Sequence, residues 1–117
     1  MACGIPTIGS GWGGNTDFMD SSNSFLVGGK VVPIQDQQFL RLQPQYSGQR
    51  WFDIDEEQLS KTMRWVFDNR EKALSVGQKG SSDVLRDWTW KHTAEKIHAR
   101  MVEIENGVIK DKVVKEL

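Results

Sequence analysis

The sequence predicts an α/β fold in which short parallel strands are covered by about three C-terminal helices. Residues 1–50 contain 8 of the 11 glycines but only 6 of the 31 charged residues, whereas residues 51–117 carry the other 25 charges. All of the clear helical patterns also lie in the rear half. A glycine-rich, charge-poor front followed by a charged, helical rear is typical of strands and loops backed by helices.

Three short apolar runs in the front half predict strands. Residues 5–8 have the length and character of a buried strand, since they are apolar and lie between glycines. Phe25–Val27 and residues 31–34 predict two more strands, and Pro33 places the second of these at a sheet edge. Residues 35–51 are rich in glutamine and predict an irregular surface loop.

A glycine loop, residues 11–17, follows the first predicted strand and leads into a predicted short helix that Asn15 or Thr16 would cap. A glycine loop at the carboxyl end of a strand presents backbone N–H groups, which suit a phosphate or a nucleotide. A purely structural tight turn, which needs glycine at positive φ, is the alternative. Trp12 lies inside the loop, where it could stack on a ligand or cover the domain core.

Gly9, Gly11 and Gly14 also satisfy the G-x-G-x-x-G pattern of dinucleotide-binding proteins, and Asp36 follows at a suitable distance. Only about ten residues separate Gly14 from Phe25, however, which is too few for the crossover helix of a Rossmann unit. An NAD site is therefore a distant hypothesis.

The first rear helix is predicted to begin after Asp55, which caps it, with Gln58 in position to complete a capping box. Apolar residues then recur on one face at helical spacing, and this face is predicted to be buried. The residues of the face are Leu59, Met63, Val66 and Phe67.

Two further rear helices are predicted, the second from about Asn69 and the third from the cap Thr89 to a stop at Gly107. Glycine inside a helix costs roughly 1 kcal/mol relative to alanine, so Gly77 and Gly80 predict the close approach of another backbone. The seam of the second helix consists of Ala73, Gly77, Gly80, Val84 and Trp88, and that of the third of Trp90, Ala94, Ile97, Met101 and Ile104.

Few residues outside the glycine loop suggest chemistry, and none of them predicts a catalytic residue, a metal or a cofactor. His92 and His98 are six positions apart, so they fall on different helix faces and cannot share a metal. Asp17 and Asp20 could act as paired carboxylates, but acidic residues at a helix start more often only interact favourably with the helix dipole. Cys3 is predicted to be a buried thiol without a base. Three tryptophans are predicted to pack along helical seams: Trp65, Trp88 and Trp90.

Composition and charge argue against several functional classes, among them nucleic-acid-binding and membrane-spanning proteins. The chain has 117 residues, enough for one small domain, and a net charge of −1. Acidic and basic residues alternate in the rear half, which argues against the one-sign patch that a nucleic-acid binder needs. No apolar run approaches the roughly 20 residues of a membrane span, and the first residues lack the pattern of a signal peptide. The sequence therefore predicts a cytoplasmic protein with no nucleic-acid partner and no transmembrane segment.

Several strings of residues also follow one another in a specific order. They are residues 1–10 (MACGIPTIGS), 13–18 (GGNTDF) and 51–55 (WFDID), then Leu59, Met63, Arg64, Val84 and Leu85, and residues 88–90 (WTW). In order and spacing they resemble the C-terminal end of family 4 glycosyltransferases, which are retaining, nucleotide-sugar-dependent enzymes of the GT-B fold. The similarity covers residues 1 to about 105.

The resemblance implies a Rossmann-like, GT-B C-terminal domain, of which residues 1–105 would be the C-terminal portion and residues 106–117 a tail. Residues 5–9 would form a strand of its sheet, and the glycine loop would lie beside the cleft for the nucleotide-sugar donor. The donor-cleft residues would be Gly11, Trp12, Gly13, Gly14, Asn15, Thr16 and Asp17. The family often has Glu where this chain has Asp17.

In that family, Glu-Ala usually precedes the string Met-Ala-Cys-Gly, and this glutamate is the second of a Glu-x7-Glu pair. The resemblance implies that the first glutamate contacts the transferred sugar and the second the donor ribose. Neither precedes Met1 here, and the N-terminal acceptor domain is missing, so we expect a fragment that is inactive alone. The third rear helix would cross toward that domain, which predicts exposed apolar area on Trp90, Ile97 or Met101.

A stand-alone, non-catalytic α/β interaction module is the alternative hypothesis. The glycine loop would then be structural, and the helical seams would bind a partner.

Overall fold

The computed structural model describes residues 1–107, which form an α/β arrangement of short strands and helices. Within these residues the strands form two separate pairs, one parallel and one antiparallel. The strands are β1 (Ile8–Ser10), β2 (Phe25–Val27), β3 (Gly29–Pro33) and β4 (Arg50–Ile54), and the helices are α1 (Gln37–Leu42), α2 (Glu56–Asp68), α3 (Arg70–Asp87) and α4 (Trp90–Glu105). Most of the predicted tail, residues 108–117, lies outside the described residues.

The parallel pair joins β1 to β2, with Ile8 opposite Phe25 and Ser10 opposite Val27. The predicted parallel strand therefore exists, but it begins at Ile8 and not at residue 5. Pro6 has no N–H group to donate to a ladder, and the backbone of residues 4–6 instead packs against α3. The connection between β1 and β2 contains a short 3-10 turn, Gly14–Asp17, and no α-helix, as the residue count predicted.

The antiparallel pair joins β3 to β4, with Val31 opposite Phe52 and Pro33 opposite Arg50. The prediction of an irregular loop over residues 35–51 is wrong, because this segment contains α1, a 3-10 turn at Pro44–Tyr46 and the start of β4. Asp36 caps α1 by accepting a hydrogen bond from the N–H of Phe39 at 3.0 Å. This local cap and the cross-strand pairs order a segment whose composition alone suggested a loop.

The predicted cap of α2 is confirmed, since the Asp55 side chain accepts from the N–H of Gln58 at 2.9 Å. The side chain of Gln58 does not complete a capping box. It accepts from the N–H of Gly28 at 2.6 Å, and so fastens α2 to the junction between β2 and β3. The predicted buried face of α2 is partly wrong, because Met63 is 56% exposed and Phe67 58% exposed.

The close approach that Gly77 and Gly80 predicted is confirmed in α3, and both glycines are buried. A Cβ on Gly77 would lie 2.6 Å from the carbonyl oxygen of Gly4, and one on Gly80 would lie 2.6 Å from that of Asn23. The backbone of the front half therefore lies directly on α3, at a distance that any larger residue would prevent.

Helix α4 also begins and ends where the sequence predicted. Thr89 caps it, and Gly107 follows its end with a φ of +75°. Its apolar seam is exposed, with Trp90 88%, Ile97 56% and Met101 63% accessible. The expectation of exposed apolar area is confirmed on all three, and the prediction that Trp90 packs along a seam is wrong.

The core is small and lies between the front strands and α3. Its buried apolar residues are Met19, Val27, Ile34 and Ala73. The radius of gyration is 19.3 Å, against about 13 Å for a compact chain of similar length. Large apolar side chains such as Leu42, Trp90 and Met101 are more than half exposed. The chain therefore leaves a large apolar area uncovered.

Candidate functional site

The glycine loop leaves the carboxyl end of β1 and is fixed there by the neighbouring strand. The N–H of Gly11 donates to the carbonyl of Val27 at 2.7 Å, which extends the parallel pairing by one residue. A Cβ on Gly11 would lie 3.2 Å from that same oxygen, so a side chain would push the loop away from β2. Gly11 thus allows the backbones of the loop and of β2 to approach each other closely.

The middle of the loop turns at Gly13, whose φ of +97° is unfavourable for any residue with a side chain. The short helix predicted here is the 3-10 turn Gly14–Asp17, and neither Asn15 nor Thr16 caps it. Asn15 instead donates from Nδ2 to the carbonyl of Ser10 at 2.7 Å, and Thr16 from Oγ1 to that of Gly13 at 2.7 Å. Both side chains therefore hold the loop closed from inside the turn.

These bonds leave several backbone donors of the loop without an acceptor. Among residues 1–107, hydrogen bonds use the N–H groups of Gly11 and Thr16, whereas none involves those of Trp12, Gly13, Gly14 and Asn15. The loop residues 11–14 are all exposed. Successive backbone N–H groups in such a turn are suited to an anion, and a phosphate group is the common biological example.

Trp12 connects the loop to the antiparallel pair. Its ring stacks on that of Phe52 in β4, with centroids 5.7 Å apart and planes inclined by 6°. Trp12 is nevertheless 48% exposed, so the ring face away from Phe52 is open. The two roles predicted for Trp12 are thus compatible, since one face packs and the other is accessible. Phe52 was missed as part of the site because β4 was missed, and residues 51–54 do not alternate between apolar and polar as a half-buried strand does.

Asp17 lies at the end of the loop, on the rim of a cavity of about 190 Å³. Thr16 shares this rim, and Asp83 and Arg86 of α3 form its opposite side. Asp17 and Asp20 do not form a carboxylate pair. Asp20 accepts from the N–H of Ser22 at 2.6 Å, and hydrogen bonds from the side chain and then the backbone of Ser22 hold the pKa of Asp20 below its ordinary value.

The remaining candidates lie apart from the loop. The prediction of a buried Cys3 is wrong, because this thiol is exposed; it lies within the turn that Gly4 closes by donating to the Met1 carbonyl. His92 contacts Thr89 at 2.9 Å, and the described residues contain no cluster of groups that could hold a metal. Asp36, the candidate acid for a dinucleotide, caps α1. Trp65 and Trp88 pack against Phe25 and Phe18, as predicted.

Comparison with known proteins gave no match to a family model, to a curated protein or to a solved structure.

None of the helices in residues 1–107 combines the length and the apolar character required to cross a membrane.

Proposed function

We propose that this chain is the C-terminal part of the nucleotide-sugar-binding domain of a retaining glycosyltransferase of family 4. The observation that carries the proposal is the glycine loop, which joins the carboxyl end of a parallel strand to a turn with unused backbone donors. The ordered strings that resemble the family add to it, because two of them, residues 1–10 and 13–18, flank and form this loop.

In this function the loop binds the donor and does not carry out the transfer. The backbone N–H groups of Gly13 and Gly14 donate to a phosphate of the donor, and the open face of Trp12 stacks on one of its rings. Transfer also requires charge placed around the leaving diphosphate and a positioned acceptor. The first glutamate of this chain is Glu56, far from residues 1–10, so we expect residues 11–17 to bind the donor without catalysing the transfer.

The uncovered surface supports the same proposal. The exposed apolar side chains of α2 and α4 include Met63, Phe67, Trp90 and Met101, and exposed apolar patches of this kind usually mark an interface. The apolar seams of α2 and α4 are what the remainder of a donor domain and an acceptor domain would cover. A direct test is the gene sequence upstream of the Met1 codon. In-frame codons for Glu-Ala within a longer reading frame support the proposal, and an in-frame stop codon overturns it.

Thermal unfolding of the chain with UDP, GDP or ADP tests donor binding. At a free concentration about ten times the Kd, a nucleotide should stabilise the chain by about 1.4 kcal/mol and raise the Tm by several degrees. Gly13→Ala should abolish the shift, because a side chain at φ +97° distorts the loop. Gly48→Ala is the matched control, since Gly48 has a φ of +75° and open space around it. No shift with any nucleotide, or an equal loss in both variants, contradicts the proposal.

The second candidate is a non-catalytic interaction module, and the exposed seam of α4 favours it. Under this hypothesis the chain melts cooperatively as a monomer and no nucleotide changes the Tm. Size-exclusion chromatography together with the melts above separates the two functions.

A further inference from the structure

Residues 28–55 form an ordered substructure that the donor-binding proposal leaves unused. It consists of the β3–β4 pair with α1 and the Pro44–Tyr46 turn inserted between the strands. The strings that resemble the glycosyltransferases do not include residues 19–50.

Three aromatic rings form a cluster on this substructure. Phe39 of α1 is central, with its centroid 5.4 Å from that of Tyr46 and 5.7 Å from that of Trp51. The Tyr46 and Trp51 planes are inclined to that of Phe39 by 45° and 49°. Tyr46 is 44% exposed and Trp51 39% exposed, although both contact Phe39. The three rings, which we call the aromatic cluster, therefore present a continuous, partly open surface.

The cluster lies on the opposite side of the hairpin from the glycine loop. Side chains alternate across a strand, so Trp51 and Phe52 in β4 point to opposite faces. Phe52 contacts Trp12, whereas Trp51 contacts Phe39 of the insert. The cluster is thus a surface separate from the donor loop.

The segment that carries the aromatic cluster is rich in amides and has few charges. Residues 35–51 contain six glutamines, all of them exposed, and three charged residues, Asp36, Arg41 and Arg50. Arg50 donates from Nη2 to the carbonyl of Val31 at 2.8 Å. The Asp36 carboxylate is already used in capping α1. An amide side chain offers donors and an acceptor together, which matches neighbouring hydroxyl groups, while an aromatic face suits the C–H face of a sugar ring. Neither feature selects a charged ligand.

We propose that the aromatic cluster and its glutamines bind a neutral oligosaccharide. The rings of Tyr46 and Trp51 stack on sugar rings, and the surrounding amides bind their hydroxyl groups. This binding requires no nucleotide and does not depend on the proposed function.

Ligand-observed saturation-transfer NMR on the full chain tests this binding, with neutral hexasaccharides of glucose, mannose and galactose as separate probes. At least one should receive saturation from the wild type. Trp51→Ala should weaken binding at least about tenfold, and Trp51→Phe should retain most of it. Trp65→Ala is the matched control, because Trp65 has a similar exposure of 42% and one aromatic partner, Phe25, at 5.6 Å.

Circular dichroism should show that the variants remain folded. If Trp51→Ala unfolds the hairpin, Tyr46→Ala replaces it in the same measurement. Any one of three results overturns the proposal. The first is that none of the neutral probes receives saturation, and the second is that Trp51→Ala and Trp65→Ala lose binding equally. The third is that Trp51→Ala loses concentration-dependent self-association but keeps glycan binding. Nucleotide melts remain a separate readout, so a failure here is distinguishable from a failure of donor binding.

Discussion

At the scale of single residues, Asn23 shows how a polar group is accommodated in the small core. Its side chain is 4% exposed, and its amide donates to the carbonyl of Phe18 at 3.1 Å and to Asp83 at 3.2 Å. Its carbonyl accepts from the N–H of Asp20 at 2.9 Å. Burying an amide without partners costs about 1–3 kcal/mol, so this full set of bonds explains why Asn23 is tolerated there.

Asp83 makes this arrangement sensitive to acid. Hydrogen bonds from Lys79, at 2.7 Å, and from Asn23 hold the pKa of Asp83 below its ordinary value of 3.8. The folded state therefore binds a proton less readily than the unfolded state. This contribution to stability is fully present above pH 3.8 and is lost as the pH falls through the lower pKa of the folded state.

We expect Asp83→Asn to reduce the loss of stability between pH 5 and pH 3, since the substituted amide does not titrate. Urea unfolding midpoints across this range measure the effect. Lys79→Met keeps the carboxyl but removes its main partner, and should also flatten the profile. A profile as steep as that of the wild type in both variants would show that Asp83 is not the group responsible.

At the scale of elements, signals within one turn predicted the three rear helices well, whereas α1 was missed. Asp55 and Thr89 cap α2 and α4 as expected, because a cap depends only on residues three positions apart. β4 was missed, since its partner lies far away in sequence and the pairing of Val32 with Trp51 is not a local signal. The predicted burial of Met63 and Phe67 was wrong for the same reason, because periodicity identifies an apolar face but does not show what covers it.

For the glycine loop, too, local features were predictable from the sequence and tertiary contacts were not. Its position after a strand and its need for glycine were predictable, and Gly13 does adopt a positive φ. The bonds of Asn15 and Thr16 to carbonyls inside the loop, and the stacking of Trp12 on Phe52, depend on tertiary geometry that no local pattern contains.

The approach of the front backbone to α3 is the element-scale feature most open to test. We expect Gly77→Ala to destabilise the chain by a net of about 1–2 kcal/mol, because overpacking against backbone costs about 2–3 kcal/mol and helix propensity returns about 1 kcal/mol. The net loss arises because the Gly4 carbonyl lies 2.6 Å from the new Cβ, and backbone cannot move aside as a flexible side chain can. Urea unfolding measures the change. Ser75→Ala, at an exposed position of the same helix, is the control and should not destabilise. Equal stability of Gly77→Ala and wild type would mean that the approach is not tight.

At the scale of the whole molecule, the chain is broad and thin, with extents of 55 × 42 × 24 Å. Helix α4 accounts for much of the uncovered apolar surface, because Trp90, Ile97 and Met101 are all more than half exposed. In α3, by contrast, Ala73 is buried. Apolar patches of this kind usually mark an interface. We therefore expect the stability of the chain to depend mainly on α3 and the strands, and the α4 seam to contribute little to it.

Because the α4 seam is exposed, we expect that it can be made polar with little change in the free energy of unfolding. We expect Ile97→Lys with Met101→Lys to change the free energy of unfolding by no more than about 0.5 kcal/mol, as for other surface positions. The same variant should bind less of the apolar dye ANS and should self-associate less in sedimentation velocity, because both depend on exposed apolar area. Thr93→Lys with His98→Lys adds equal charge to exposed positions of the same helix and should leave dye binding unchanged. A large loss of stability in the first variant would instead place the α4 seam within the core of the chain.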